Sequence, residues 1–217
     1  MRTALITPPA EEPVALQEFA DHARIDIDPE RIDDMREKLL AGRTHIESEA
    51  KRVLITSTWR AYLECWPRCR CLPRCRLWPH CSYLELDWGN LQSVASVKYR
   101  ISTGEEKVWS PSKYRLSRVY DPATGPSDAG IGRIYPAYGE TWPSEALDVG
   151  EPISIDYVCG WKDAASVPAM LKAGVELAAA HFWLHREAVT LGNTAVESKD
   201  LIRGVDSCIA RYADLRH

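Results

Sequence analysis

Six thiol or imidazole side chains crowd one stretch of the chain, CWPRCRCLPRCRLWPHC: Cys65, Cys69, Cys71, Cys75, His80 and Cys81. Zinc binds four such ligands at tetrahedral geometry. The spacing C-x3-C-x-C-x3-C-x5-C departs from the paired C-x2-C of zinc knuckles, so the pattern alone does not specify a metal. Three readings stay open. The stretch is an exposed loop without a site, or a zinc or other metal loop with Cys65, Cys69, Cys71, Cys75 and Cys81 as ligands, or a disulfide-bonded loop if it meets oxidising conditions. Pro67, Pro73 and Pro79 keep it open and loop-like. Arg68, Arg70, Arg74 and Arg76 make it locally basic, a weak nucleic-acid signal in a chain whose net charge is -4.

Elsewhere the chemistry is sparse. There is no GxSxG, P-loop, HExxH or dinucleotide fingerprint. His181 and His185 stand one helical turn apart and, with Glu187, suggest a metal face. Zinc would still need further ligands from elsewhere, so they read as partly buried helix histidines. Asp26 and Asp28 in IDID read as turn and capping residues rather than a metal pair. His22 and His45 lie alone on polar helix faces. No nucleophile–base pair is legible, which argues against a hydrolase. No catalytic residue and no cofactor is expected.

The elements that would carry these groups fall in three blocks. Residues 1–12 look extended, with Pro8 and Pro9 barring a helix. Leu16, Phe19, Ala20 and Ala23 make a first helical stripe. Asp28 as cap and Pro29 at the first position open a second helix to about Arg52, with Ile32, Met35, Leu39, Ile46 and Ala50 on one face. From Val53 the period changes to two, and eight Trp and nine Tyr against two Phe point to strands. LITSTWRAYLECW, YLELDW, SVASVKYRI, KVWSPSKYRLSRVY, GRIYPAYGETWP and PISIDYVCG give about five or six antiparallel strands.

The longest apolar helix spans 167–188, capped by Ser166, with Val167, Leu171, Val175, Ala178, Phe182 and His185 on one face. Met170, Leu177 and Leu184 lie on another. Two apolar faces need protein on most sides. Lys172 and Glu176 exclude a membrane span. A last helix runs from about Glu197 to Leu215. The expected fold is therefore α+β: a helical bundle of two N-terminal and two C-terminal helices with an inserted antiparallel β domain. Its parts would be a helical hairpin at 1–53, a β-rich domain at 54–160, and helices plus tail at 161–217. The opening MRTALITPPAEEP has no apolar core long enough for a signal peptide, so a reducing cytosolic setting is expected.

The order LITPPAEEPVALQEFADHARID, RVLITSTW, LQSVASVKY, GRIYPAYGETWP, ISIDYVCGW and VPAMLKAGVELAAAHFWLHREAV resembles the head–tail connector (adaptor) proteins of tailed phages, in particular the long subgroup with a β-rich insertion. The resemblance runs along nearly the whole chain. It departs at Cys65–Cys81, where relatives have a shorter apolar hairpin. It carries no catalytic residues.

It implies a structural protein of the virion neck, made in the host cytoplasm. Such proteins form a ring, typically of twelve copies, that docks under the portal protein and extends the DNA channel without sequence-specific DNA binding. The ring also presents a surface to the next tail or head-completion protein. Ring contacts are expected on the 167–188 helix, at Phe182, Trp183 and Leu184, and on the Pro29–Arg52 helix. Portal contacts are expected at Ile202, Val205, Ile209, Tyr212 and Leu215. The competing expectation is a metal-dependent nucleic-acid-binding module built on Cys65–Cys81.

Overall fold

The computed structural model describes residues 1–67, 83–117, 119–120, 130–184, 204–210 and 212. The class is α+β. Among these residues eight strands and three α-helices, besides a short helical segment at 204–209, follow in chain order: β1 Arg2–Thr7, α1 Leu16–Ala23, α2 Ile32–Ala50, β2 Ser57–Leu63, β3 Leu84–Gly89, β4 Leu91–Arg100, β5 Glu106–Val108, β6 Tyr114–Ser117, β7 Ile131–Pro136, β8 Ile153–Cys159 and α3 Ala169–Leu184. The chain divides into two compact units, one of Met1–Pro8 and Thr56–Gly160, the other of Pro9–Ile55 and Trp161–His217.

The β unit holds two antiparallel sheets, β1-β2-β8-β4-β5 and β3-β7-β6. The strand count exceeds the five or six expected, because KVWSPSKYRLSRVY forms two strands and the opening residues form β1. Pro111 starts a short 3-10 turn that separates β5 from β6. β8 is central and alternates cleanly, with Ile153, Ile155, Tyr157 and Cys159 each 0% exposed. Across it Arg60 of β2 makes a forked pair with Asp156 at 2.6 and 3.1 Å, and Ser96 of β4 reaches the same carboxylate at 3.2 Å.

The sheets touch closely at Gly132 of β7, where a Cβ would meet the Leu91 side chain at 2.5 Å. Rings fill another part of the unit: Trp66 stacks on Trp142 at 5.2 Å, and Trp109 packs on both Trp66 and Trp142. Beside them the Tyr99 hydroxyl donates to Glu145 at 2.6 Å. Burial and that carboxylate push its pKa up to about 12.

The first eight residues belong to this unit rather than to a helical hairpin at 1–53. Arg2–Leu5 pair in register with Tyr62–Trp59, a partner that sequence periodicity does not reveal.

In the helical unit the second helix begins with a 3-10 turn, Pro29–Arg31, where the Asp28 carboxylate accepts from the Glu30 N–H at 3.0 Å. α2 ends at Lys51 in a left-handed conformation, φ 53°. Ser166 does not cap α3. Its N–H and hydroxyl both go to Asp163, closing a separate 3-10 turn, and α3 starts beyond Pro168. Ile55 and Trp161 form an isolated parallel bridge, and the Trp161 N–H donates to the Leu54 carbonyl.

Candidate interaction surface

α3 has three faces with three different fates. Leu171, Gly174, Val175, Ala178 and Ala179 form a stripe at steps of three and four and are buried. They lie on α2, whose Met35, Leu39, Ile46 and Ala50 are at most 3% exposed. Gly42 makes this contact possible, since a Cβ there would stand 2.8 Å from the Val175 carbonyl oxygen and 2.9 Å from the Ala179 nitrogen.

The second face meets α1. Trp183 packs edge-on against Phe19 at 6.5 Å, with the Arg31 guanidinium 4.5 Å over its ring. His22 Nδ1 lies 3.5 Å from Glu176, a carboxyl whose pKa is raised mainly by burial.

The third face stays apolar and largely uncovered among the described residues. Met170, Ala173, Leu177, Ala180 and Leu184 repeat at steps of three and four, opposite the α2 stripe at 3.6 residues per turn. Met170 is 50% and Leu184 73% exposed, and the three between are half-buried. A helical segment at 204–209 flanks one side, where a Cβ on Gly204 would come 3.9 Å from Leu177.

A buried ionic knot fixes α2. Arg43 reaches Glu12 and Glu47, each at 2.8 Å, and the second Glu47 oxygen accepts the Leu54 N–H at 2.8 Å. Burial raises the Glu47 pKa, and the Arg43 charge opposes that rise. Arg52 donates to the Tyr212 carbonyl at 2.5 Å, tying the C-terminal stretch to the end of α2.

The structure separates the residues singled out from sequence. Of the ring candidates, Trp183 is 7% exposed and internal, Phe182 is half-buried against His45 and His181, and Leu184 is exposed. Of the portal candidates, Val205 and Ile209 are 2% and 5% exposed, and Tyr212 is half-buried. A Cβ on Gly174 would come 3.3 Å from Cys208, so this segment packs on α3, and burial raises the Cys208 thiol pKa. Ile202 and Leu215 lie outside the described residues, as do Cys69, Cys71, Cys75, His80, Cys81, His185 and Glu187. Cys65 is exposed. The described residues include no group of three metal-ligating side chains, and no described helix is long and apolar enough to cross a membrane.

Sequence reasoning missed the Arg43–Glu12–Glu47 knot. Arg43 and Glu47 are spaced i,i+4, which also describes an exposed pair. It missed the Trp66–Trp109–Trp142 cluster too, whose members come from three separate segments.

No family model and no curated protein sequence matches the chain. Solved structures do. A chain in the neck of an empty gene transfer agent (GTA) particle, computed with C6 symmetry, superposes at TM-score 0.72 with 21% identity, covering 100% of this chain and 97% of that one. The fold is that of a GTA neck chain. A chain in the virion of a native GTA particle gives 0.71 at 20% identity, and one in the native neck computed with C12 symmetry gives 0.69 at 21%, with the same coverage.

Proposed function

We propose that this chain is a structural component of the neck of a tailed phage or phage-like particle. In this role it forms a ring under the portal that extends the DNA channel and joins it to the tail. The observation that carries the reading is coverage: both units align with GTA neck chains end to end, at 100% of this chain and 97% of the other. The working parts are surfaces, and no catalytic group or cofactor is needed.

Ring contacts in this reading lie on the third face of α3 and on α2. A head-to-tail contact between identical subunits buries two different patches and closes by rotation. Val205 and Ile209 hold the C-terminal stretch on the helical unit, leaving Tyr212, with Ile202 and Leu215, to meet the portal. The overall charge of -4 suits a channel through which DNA passes, since phosphate binding would slow transit.

Cryo-electron microscopy of particles carrying a tagged copy tests the reading. The tag is expected at the head–tail junction, repeated around the axis; a tag anywhere else overturns it. Elemental analysis of the purified protein is expected to show no stoichiometric zinc. Stoichiometric zinc, together with nucleic-acid binding that Cys→Ser changes abolish, would favour the metal-dependent nucleic-acid module.

A further inference from the structure

We propose that the outer edge of β1 takes an extended segment of a different neck protein as an added strand. The inference rests on the neck reading. Among the described residues β1 pairs only with β2, so it forms one edge of the five-stranded sheet. An edge strand presents unpaired backbone N–H and C=O groups on alternate residues, and proteins usually blunt such edges with lysine, proline or brevity.

The opposite edge obeys that rule: β5 has three residues, among them Glu106 and Lys107. β1 does not. RTALIT contains neither lysine nor proline, and Arg2–Leu5 keep regular register, with the bulge falling only after Leu5. Met1, Leu5 and Ile6 are 50%, 44% and 48% exposed, a local concentration of uncovered apolar surface.

A cleft of about 450 Å³ opens beside the Arg2 end of this edge, lined by Met1, Tyr62, Leu63, Glu64 and Cys65 and by the Arg2–Glu151 pair. Glu151 neutralises Arg2 through bonds of 2.9 and 3.1 Å from Nε, and the guanidinium lies 4.1 Å over the Tyr62 ring. Glu64 also lines the cleft, so the cleft suits a polar side chain carried by the incoming strand. Strand addition uses this combination: backbone bonds along an edge give affinity, and a pocket for alternate side chains gives selection.

The occupant follows from symmetry. Pairing β1 with β1 of a second copy is an isologous contact about a two-fold axis. A neck leads from head to tail, so its axis is polar and admits no such two-fold. The other edges a neighbouring copy offers among the described residues are short or charged: β5 has three residues with Glu106 and Lys107, β6 has four with Arg115, and β3 carries Glu85 and Asp87. An extended segment of another neck component, with a polar side chain for the cleft, remains.

The test is a reconstruction of assembled necks containing either the wild-type chain or the double variant Leu5→Lys, Ile6→Lys. With the wild type, a strand from another protein is expected along Arg2–Leu5 with a side chain in the cleft. With the variant, whose exposed substitutions should leave the thermal midpoint unchanged, the chain keeps its place in the neck. The added strand is lost, and joining of the next component falls about tenfold or more. A bare edge, a second copy of this chain on the edge, or a variant that joins as well as wild type overturns the inference and leaves the neck reading standing. A chain absent from the neck altogether overturns the neck reading itself.

Discussion

Gly42 of α2 and Val175 of α3 bring two helix backbones into direct contact, with room for a hydrogen and not for a methyl group. Gly42→Ala is therefore expected to destabilise the helical unit. Overpacking against backbone costs about 1–3 kcal/mol, and the better helix propensity of alanine returns at most about 1 kcal/mol. Thermal unfolding followed by circular dichroism checks it; an unchanged or raised midpoint contradicts the close contact.

Neighbours in sequence should behave oppositely on α3. Leu184→Glu and Met170→Glu place charge on exposed positions and are expected to leave the fold intact while blocking ring assembly. Trp183→Ala removes a ring held by Phe19 and Arg31 and is expected to cost about 3–5 kcal/mol. Sedimentation of each variant, paired with its melting curve, separates the two outcomes. Loss of fold in Leu184→Glu would make the third face an internal one.

Acid should weaken the β unit through Asp156. The hydrogen bond from Arg60 holds this carboxyl below its usual pKa of 3.8. A lowered folded-state pKa gives stability that is present above the unfolded value and is lost as pH falls through the folded value. The effect is full at neutral pH and fades below about pH 4. Asp156→Asn should lose about 1 kcal/mol at pH 7 and flatten the fall in stability at lower pH. Urea titrations at pH 7 and pH 3 measure both quantities.

Tyr157 is 0% exposed, and its hydroxyl has no hydrogen-bond partner among the described residues. Burial raises its pKa, so the phenol stays neutral. Tyr157→Phe is expected to raise stability by about 1 kcal/mol, since a buried unpaired hydroxyl carries its desolvation cost without return. A drop in the denaturation midpoint would show that the hydroxyl is satisfied.

Sequence periodicity made the helices and most strands legible because each depends on local spacing. α3 stood out through its apolar faces, and β8 through the alternation of Ile153, Ile155 and Tyr157. What stayed illegible depends on partners distant in sequence. Arg2–Thr7 resembles any extended lead-in until Ser57–Leu63 is placed beside it. Val205 and Ile209 form the same stripe whether they face a partner or α3. Trp183 and Leu184 are adjacent and both apolar, and only the position of α1 decides which is covered.

The Ile55–Trp161 bridge joins the point where the chain leaves the helical unit after α2 to the point where it returns before α3. Because the ends stay clamped together, a change in length between those two residues is expected to leave the pairing of α2 and α3 intact. Loop-closure cost rises only slowly with length, so such a gateway tolerates large cargo. One thread escapes it: β1 precedes the gateway, so a lineage that swapped the segment 56–160 would have to supply a new partner for Arg2–Thr7 or lose that strand.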